Sequence, residues 1–253
     1  MHPSDPGAQA LRGVLVVLLF NYQPRHKAWG WQRLVRGASA FSDVPGLRFA
    51  KVMGSGHGGG FTLRPSATHQ GLMALLDDAD AALNFLQDPQ VQACRERSAE
   101  HWHGVMAIDS ARGAWDGQAW APTPPALLGS QGGSLEGLGR QPLAVLTRAS
   151  IRPAKALSFW RHAPASQVDL INAPGCTLAM GLGEAPFLRQ CTFSVWRNTS
   201  AMLAYAQSGA HRKALDAAYR QDYFSESLFM RMRLLQHGGH WPRPGQRSES
   251  AQA

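Results

Sequence analysis

The chain has 253 residues, 44% of them hydrophobic and 17% charged, enough apolar material for a sizeable core, which excludes disorder as the overall state. No apolar run approaches the ~18 residues of a membrane span; the longest, Val14 to Phe20, has seven. The net charge of +8 suits an acidic partner or an anionic surface, but without consecutive basic residues or an ordered aromatic motif it does not indicate nucleic acid.

In chain order, Val14 to Asn21 reads as a first strand. Arg12 in front of it resembles the start of a signal peptide, but Tyr22-Gln23-Pro24 offers no small-residue cleavage site. A helix-like segment with tryptophan follows, around Trp29 to Phe41, then a Pro-Gly turn at Pro45-Gly46 and a strand running to Gly54. The glycine-rich stretch from Gly54 to Gly60 lacks the Lys-Ser/Thr of a phosphate cradle and reads as a hairpin loop. The next strand is predicted over Gly60 to Arg64. Asp77, Asp78 and Asp80 crowd a helix start, with Asp80 preceding Ala81-Ala82-Leu83, where carboxylates complement the helix dipole. A closing strand covers Gly104 to Ile108.

Pro122 to Gln141, with three prolines and the run Gly-Ser-Gln-Gly-Gly-Ser, reads as a linker. The second half then repeats the first: a strand at Leu143 to Ser150, a tryptophan-bearing helix over Ala154 to Gln167, and Pro174-Gly175 before Cys176 to Gly183. Asn172-Ala173-Pro174-Gly175 stands 129 residues after Asp43-Val44-Pro45-Gly46, and Gly183 stands 129 after Gly54, the signature of an internal duplication. Strand Gln190 to Trp196, a helix starting at Asn198 or Thr199, and strand Leu228 to Leu235 complete it. The order βαββαβ is that of a ferredoxin-like unit, whose open apolar sheet face packs on a second copy. The predicted fold is therefore α+β, a tandem duplication of ferredoxin-like units (residues 12–121 and 142–241, joined by 122–141) forming a sandwich like a dimeric α/β barrel. Cys94, Cys176 and Cys191 form no close pair, which points to a reducing compartment and hence the cytoplasm.

Several segments resemble a known family. They are Gly181-Leu182-Gly183-Glu184-Ala185-Pro186, then Arg189-Gln190-x-Thr192-Phe193-Ser194-x-Trp196, then Tyr205-Ala206-x-Ser208-Gly209-Ala210-His211, and Phe224-Ser225-Glu226-Ser227-Leu228-Phe229; the first half adds Gly59-Gly60-Phe61 and Ser110 to Gly117. Together they resemble the spheroidene monooxygenases, bacterial carotenoid oxygenases. The resemblance implies oxidation of an acyclic carotenoid such as spheroidene to a keto carotenoid by O₂, with reduced ferredoxin as electron donor and haem iron as cofactor; the +8 charge suits docking of that acidic carrier or, alternatively, peripheral attraction to an anionic membrane face where a carotenoid would reside. A cofactorless or non-catalytic barrel binding an apolar molecule is the alternative.

For a haem enzyme the candidates are these. His211 lies inside the resemblance motif and in a stretch where the second half is longer, since Ala201 to Leu228 spans 27 residues and Ala81 to Gly104 spans 23; it is either the axial ligand or a helix-start residue facing water. Phe193 and Trp196 are assigned to the cofactor pocket. Arg189 either holds an oxygen species or a propionate through charge-assisted hydrogen bonds, or is a solvated strand-end arginine. Arg231 and Arg233 make one face of the last strand cationic. His101 and His103, two apart on a strand, share a face and stand next in line as ligands.

Overall fold

The computed structural model describes residues 9–60, 62, 64–129, 141–185, 187–207 and 222–242, with the backbone alone for 162–168. In chain order the elements are β1 (Val14–Tyr22), α1 (Lys27–Arg36), β2 (Leu47–Gly56), β3 (Pro65–Leu76), α2 (Ala79–Phe85), α3 (Pro89–Glu96), β4 (Ser98–Trp115), β5 (Gln118–Ala119), β6 (Leu143–Ile151), α4 (Ala156–Ile171), β7 (Cys176–Ala185), β8 (Arg189–Trp196), α5 (Thr199–Gln207) and β9 (Phe224–His240).

Strands β1-β3-β2-β7-β8-β6-β9-β4 are hydrogen-bonded in that order, and β4 pairs back to β1, so eight antiparallel strands close into a barrel. Closure pairs both edges of each half-sheet with the other half, the β2–β7 seam through the single pair Gly54–Gly183. β5 is a short arm that hairpins onto β4. Each half contributes four strands in the order last-first-third-second, as a ferredoxin-like unit requires, and the halves meet at two seams. Along one, Gly54 pairs with Gly183, the two residues whose 129-residue offset marks the duplication. Along the other, Ala107 pairs with Arg233, and these residues pair in turn with Val14 and Leu143, which are also 129 apart. Both seams are thus centred on equivalent residues, as a pseudo-two-fold axis through the barrel demands. The ladder slips at Asp109 on β4 and at Leu235 on β9, two equivalent positions.

The alternation of β1 explains the two layers. Leu15, Val17 and Leu19 enter the barrel interior, while Val14, Val16, Leu18 and Phe20 face the helices of the first half. A strand buried on both faces is apolar throughout. Six methionines (Met53, Met73, Met106, Met180, Met230, Met232) join Trp102 and Phe193 in the interior, where their flexible thioethers fill the space left by a tapering barrel.

Three sequence expectations change. The described residues of Gly60 to Arg64 form no strand, and β3 begins at Pro65. Between β2 and β3 the first half carries nine more residues than the second between β7 and β8, because equivalent positions shift from 129 apart (Val52, Gly181) to 120 apart (Leu72, Thr192). The extra length is the turn around Gly58 and Gly59, whose positive φ values (63° and 75°) glycine tolerates, closed by Thr62 accepting from the His57 N–H. The continuous apolar run Leu72–Leu76 hid the true strand, since a strand buried on both faces has no alternation to read. The helix start is capped by Asp78, whose carboxylate accepts from the Ala81 N–H at 2.8 Å, two residues before Asp80. In the second half Asn198 is the corresponding cap, accepting from Ala201 N–H at 2.9 Å. Finally, residues 122–129 of the expected linker pack on the first half: Leu128 is buried there and the Thr123 hydroxyl donates to the Gly13 carbonyl.

Candidate functional site

Three regions could hold chemistry: the barrel interior, its two mouths, and the outer faces under the helices. The interior is filled, with Phe193 fully buried against Trp102 at a ring separation of 5.5 Å.

One mouth, at the C-terminal end of β6, holds a six-residue ionic cluster. Arg148 points inward from β6, 1% exposed, and its guanidinium pairs with Glu226, with Glu184 at 3.2 Å and with Asp116 at 3.5 Å. It also lies 5.4 Å over the Trp115 ring. Lys51 pairs with Asp116 and, at 3.3 Å, with Glu184, and Arg189 approaches Asp116 and Glu184 at 3.7 and 3.8 Å. Three cations thus face three carboxylates, which is what allows Arg148 to be buried. Burial opposes ionisation of Asp116, but Lys51, Arg148 and Arg189 outweigh it and hold its carboxyl below the usual range. The Asp116-Gly117 turn, with φ of 51° and 75°, is the tight hairpin such a dipeptide favours. Glu226 fixes it by accepting from both backbone N–H groups, which gives the Ser110 to Gly117 motif a structural role.

The outer faces differ between the halves. In the first half, Leu18, Phe20 and Leu72 are buried with Val52 beside them, beneath α1 to α3. The register places Thr147, Ala149, Thr192 and Gly181 at the equivalent positions of the second half. Thr147 is exposed there, as is its cross-strand partner Phe229, at 39%. The small core of this half, around Leu143, Val145, Leu170, Trp196 and Met202, covers one end of the sheet. The other end is a floor of small side chains, on which Thr147 is exposed, Thr192 is half-buried and Ala149 and Gly181 are buried. Arg231 and Arg233 lie on the same outward face of β9, about 7 Å per pair of residues along the strand. Arg231 donates to the Ser110 hydroxyl, and the Arg233 guanidinium faces Asp109 at 3.9 Å while its buried Nε has no hydrogen-bond partner among the described residues.

The expected site residues separate accordingly. Phe193 points into the barrel and Trp196 points out, where it stacks near Tyr205 and donates from its indole to Ser194; they occupy opposite faces of β8 and cannot line one pocket. Arg189 belongs to the ionic mouth. His211 lies outside the described residues, in the stretch between α5 and β9. Relative to the first half the second gains six residues between the helix cap and the last strand, since Asp78 and Asn198 are 120 apart and Ala107 and Arg233 are 126 apart. His101 and His103 both face outward, but the His103 ring nitrogen Nδ1 meets the Arg95 guanidinium at 2.9 Å. No group of metal-binding side chains forms among the described residues. The floor itself was missed by the sequence reading. Its signal was present, because Leu18 and Thr147, Phe20 and Ala149, and Val52 and Gly181 are each 129 apart.

With this geometry in hand, the relatives decide the lineage. The chain is 46% identical over 239 residues to a spheroidene monooxygenase of Rubrivivax gelatinosus, covering 94% of this chain and 88% of that protein. It is 32% identical over 222 residues to the spheroidene monooxygenase of Rhodobacter capsulatus, covering 84% and 86% respectively. The chain belongs to the spheroidene monooxygenase family. No protein-family model matches it. Among solved structures, an aldoxime dehydratase shares the fold with a TM-score of 0.56 and 12% identity, over 90% of this chain and 84% of that one. Like its family relatives the chain is an oxidoreductase, and no helix among its described residues is long and apolar enough to cross a membrane.

Proposed function

We propose that this protein is a haem-dependent monooxygenase that oxidises an acyclic carotenoid such as spheroidene to a keto carotenoid, taking electrons from reduced ferredoxin, and that the cofactor lies on the outer floor of the second half. The observation that carries the reading is the exchange of Leu18, Phe20, Val52 and Leu72 for Thr147, Ala149, Gly181 and Thr192 on one face of an otherwise equivalent sheet. The residues present fit a flat, largely apolar group bearing carboxylates. Small side chains replace the large ones that fill this face in the first half, Phe229 offers an exposed aromatic edge, and Arg231 and Arg233, the latter weakly paired with Asp109 at 3.9 Å, would offer charge-assisted donors for its propionates. Trp196 borders this face; Phe193 supports it from inside the barrel.

Haem, when bound, would supply activation of O₂. Each oxygen insertion consumes one O₂, two electrons and two protons and releases one water; a second insertion at the same carbon, followed by loss of water, gives the ketone. The chain contributes placement and exclusion of solvent. His211, four residues beyond the end of α5, is the residue that would hold the haem iron through its imidazole. Arg189 stays in its ionic mouth, where its pairing with Asp116 and Glu184 supports a positioning role rather than contact with the reacting carbon. The +8 charge supports docking of an acidic ferredoxin, and the reducing conditions read from the cysteines support a cytoplasmic location.

The test is purification with haem supplied during expression. A Soret band that disappears in His211→Ala while the circular dichroism spectrum is kept, together with formation of a keto carotenoid by the wild-type protein and reduced ferredoxin, is the expected result. Wild-type product formation with no Soret band would overturn the haem assignment and leave a cofactorless barrel.

A further inference from the structure

We infer that the end of the barrel made by the β7–β8 turn and the start of α4 docks on the anionic surface of a lipid bilayer. Large apolar side chains are exposed here without cover: Phe187 at 48% and Leu157 at 73%. Phe187 is at the same time one of three described non-glycine residues with positive φ, at 68°. A bulky side chain is an outlier in that region, so a strained turn is being used to hold an aromatic ring in water. The turn is fixed rather than loose: the Trp160 indole donates to the Phe187 carbonyl at 2.9 Å, and the Ile151 N–H donates to Leu188. Trp160, Phe159, Phe224 and Tyr223 extend the aromatic surface from Phe187 toward the sheet.

The charges around this apolar tip that meet no carboxylate among the described residues are positive. They are Lys155 and Arg161, which flank Leu157 and Trp160; Arg189, half exposed at the adjoining strand, is shared with Asp116 and Glu184. Arg152 shares Asp222. Aromatic and aliphatic tips ringed by cations suit the interface of an anionic bilayer, where rings sit at headgroup depth and cations stay in the phosphate layer. An aqueous protein partner would not require the strained presentation of Phe187. The tip also adjoins the floor of small side chains: Ser150 pairs with Arg189, and Ala149 with Gln190, directly below the turn. The surface rests on the proposed function only for its purpose, which is to take a water-insoluble polyene from the bilayer to the floor without passage through water; its existence is tested without turnover.

The experiment is sedimentation of the full chain with phosphatidylcholine vesicles containing one-third phosphatidylglycerol, and with phosphatidylcholine alone. Binding to the anionic vesicles at low salt, at least tenfold weaker in Phe187→Asn/Leu157→Ser, is expected; asparagine suits the left-handed conformation, so the turn is kept. A Trp31→Ser/Val35→Ser protein, altered at the other exposed apolar pair on α1, is expected to bind like wild type. Unchanged binding of the tip variant, loss of binding in the α1 variant, or absence of vesicle binding alongside ferredoxin binding at the tip would each overturn the inference. Activity of the tip variant on detergent-dispersed carotenoid separates the two claims: wild-type turnover there with weakened vesicle binding upholds both, and vesicle binding with no oxygenation upholds docking alone.

Discussion

The two halves of the barrel share one architecture and treat its outer face in opposite ways. In the first half Phe20, Val52, Gln70 and Leu72 close around a void of only about 10 Å³, completed by Tyr22, Arg33 and Cys94; burial drives the Tyr22 hydroxyl and the Cys94 thiol upward in pKa, so both stay protonated. Arg33 is sealed in with them, bonded to Gln90 and stacked on Trp29 and Phe41. In the second half the four equivalent positions hold Ala149, Gly181, Gln190 and Thr192. Gln70 and Gln190 are the constant pair; the large side chains around them are what changed. A duplicated fold needs its barrel interior on both sides, but only one of its outer faces keeps the large side chains; on the other they are exchanged for small ones.

The largest expected effect comes from making the second half like the first. Gly181→Val with Thr147→Leu restores two of the missing side chains on the floor, and both residues tolerate a strand. Haem retention and product formation are expected to fall at least a hundredfold, with the thermal midpoint within a few degrees of wild type. Full Soret absorbance and activity in this protein would place the cofactor elsewhere. The mirror experiment, Phe20→Ala, opens a cavity in the closed half. It is expected to cost about 3–5 kcal/mol in urea unfolding and to leave the Soret spectrum of the remaining folded protein unchanged.

How much of this was legible in the sequence follows from what each signal encodes. The duplication was visible because turn chemistry is local: Pro-Gly turns and the glycines Gly54 and Gly183 recur at one offset, and the structure pairs those glycines with each other. The strand at Pro65 was not, because Leu72–Leu76 is buried on both sides and carries no alternation. Phe193 and Trp196 were grouped because they share a motif, yet three positions apart on a strand means opposite faces. The ionic mouth could not be read at all. Its members come from β2, β6, β7, β8, β9 and the turn after β4, and only barrel closure brings them together.

That mouth sharpens the comparison at a second level, since Arg148 occupies the position that Leu19 holds in the first half. Arg148→Leu removes one cation from a balanced set of six and leaves Glu184, 9% exposed, facing Asp116 and Glu226. Breaking a buried pair by deleting one partner costs about 3–5 kcal/mol. The low end, about 3, is expected because Asp116 and Glu226 are partly exposed and water screens them. Adding Glu226→Gln to the same protein should recover part of the loss by relieving the like-charge contact, as a double-mutant cycle in urea would measure. No recovery would mean that Glu226 acts mainly through the Asp116-Gly117 turn it holds.

The smallest effect concerns His103, which stands where the second half has the exposed Phe229. Its ring is buried by the packing of Gly238, where an added Cβ would lie 2.7 Å from the imidazole, and it accepts from Arg95. Burial first, then the charges of Arg95, His101 and His237, lower its pKa from 6.5 to about 4. The native state therefore keeps it neutral through a range in which the unfolded chain binds a proton. Its contribution to stability is complete above pH 6.5 and is lost as pH falls from 6.5 toward 4. Over that window the loss is on the order of 2–3 kcal/mol. His101, also lowered by burial and by Arg95, pulls in the same direction, whereas Asp109, raised by burial, pulls the other way. Only the difference between wild type and His103→Gln isolates the residue. Urea midpoints measured from pH 7.5 to 4.5 are expected to converge for the two proteins as the acid limit is approached, with wild type losing more; parallel curves would mean that the ring titrates alike in the folded and unfolded states, so that the sealed face of the first half admits its charge without penalty.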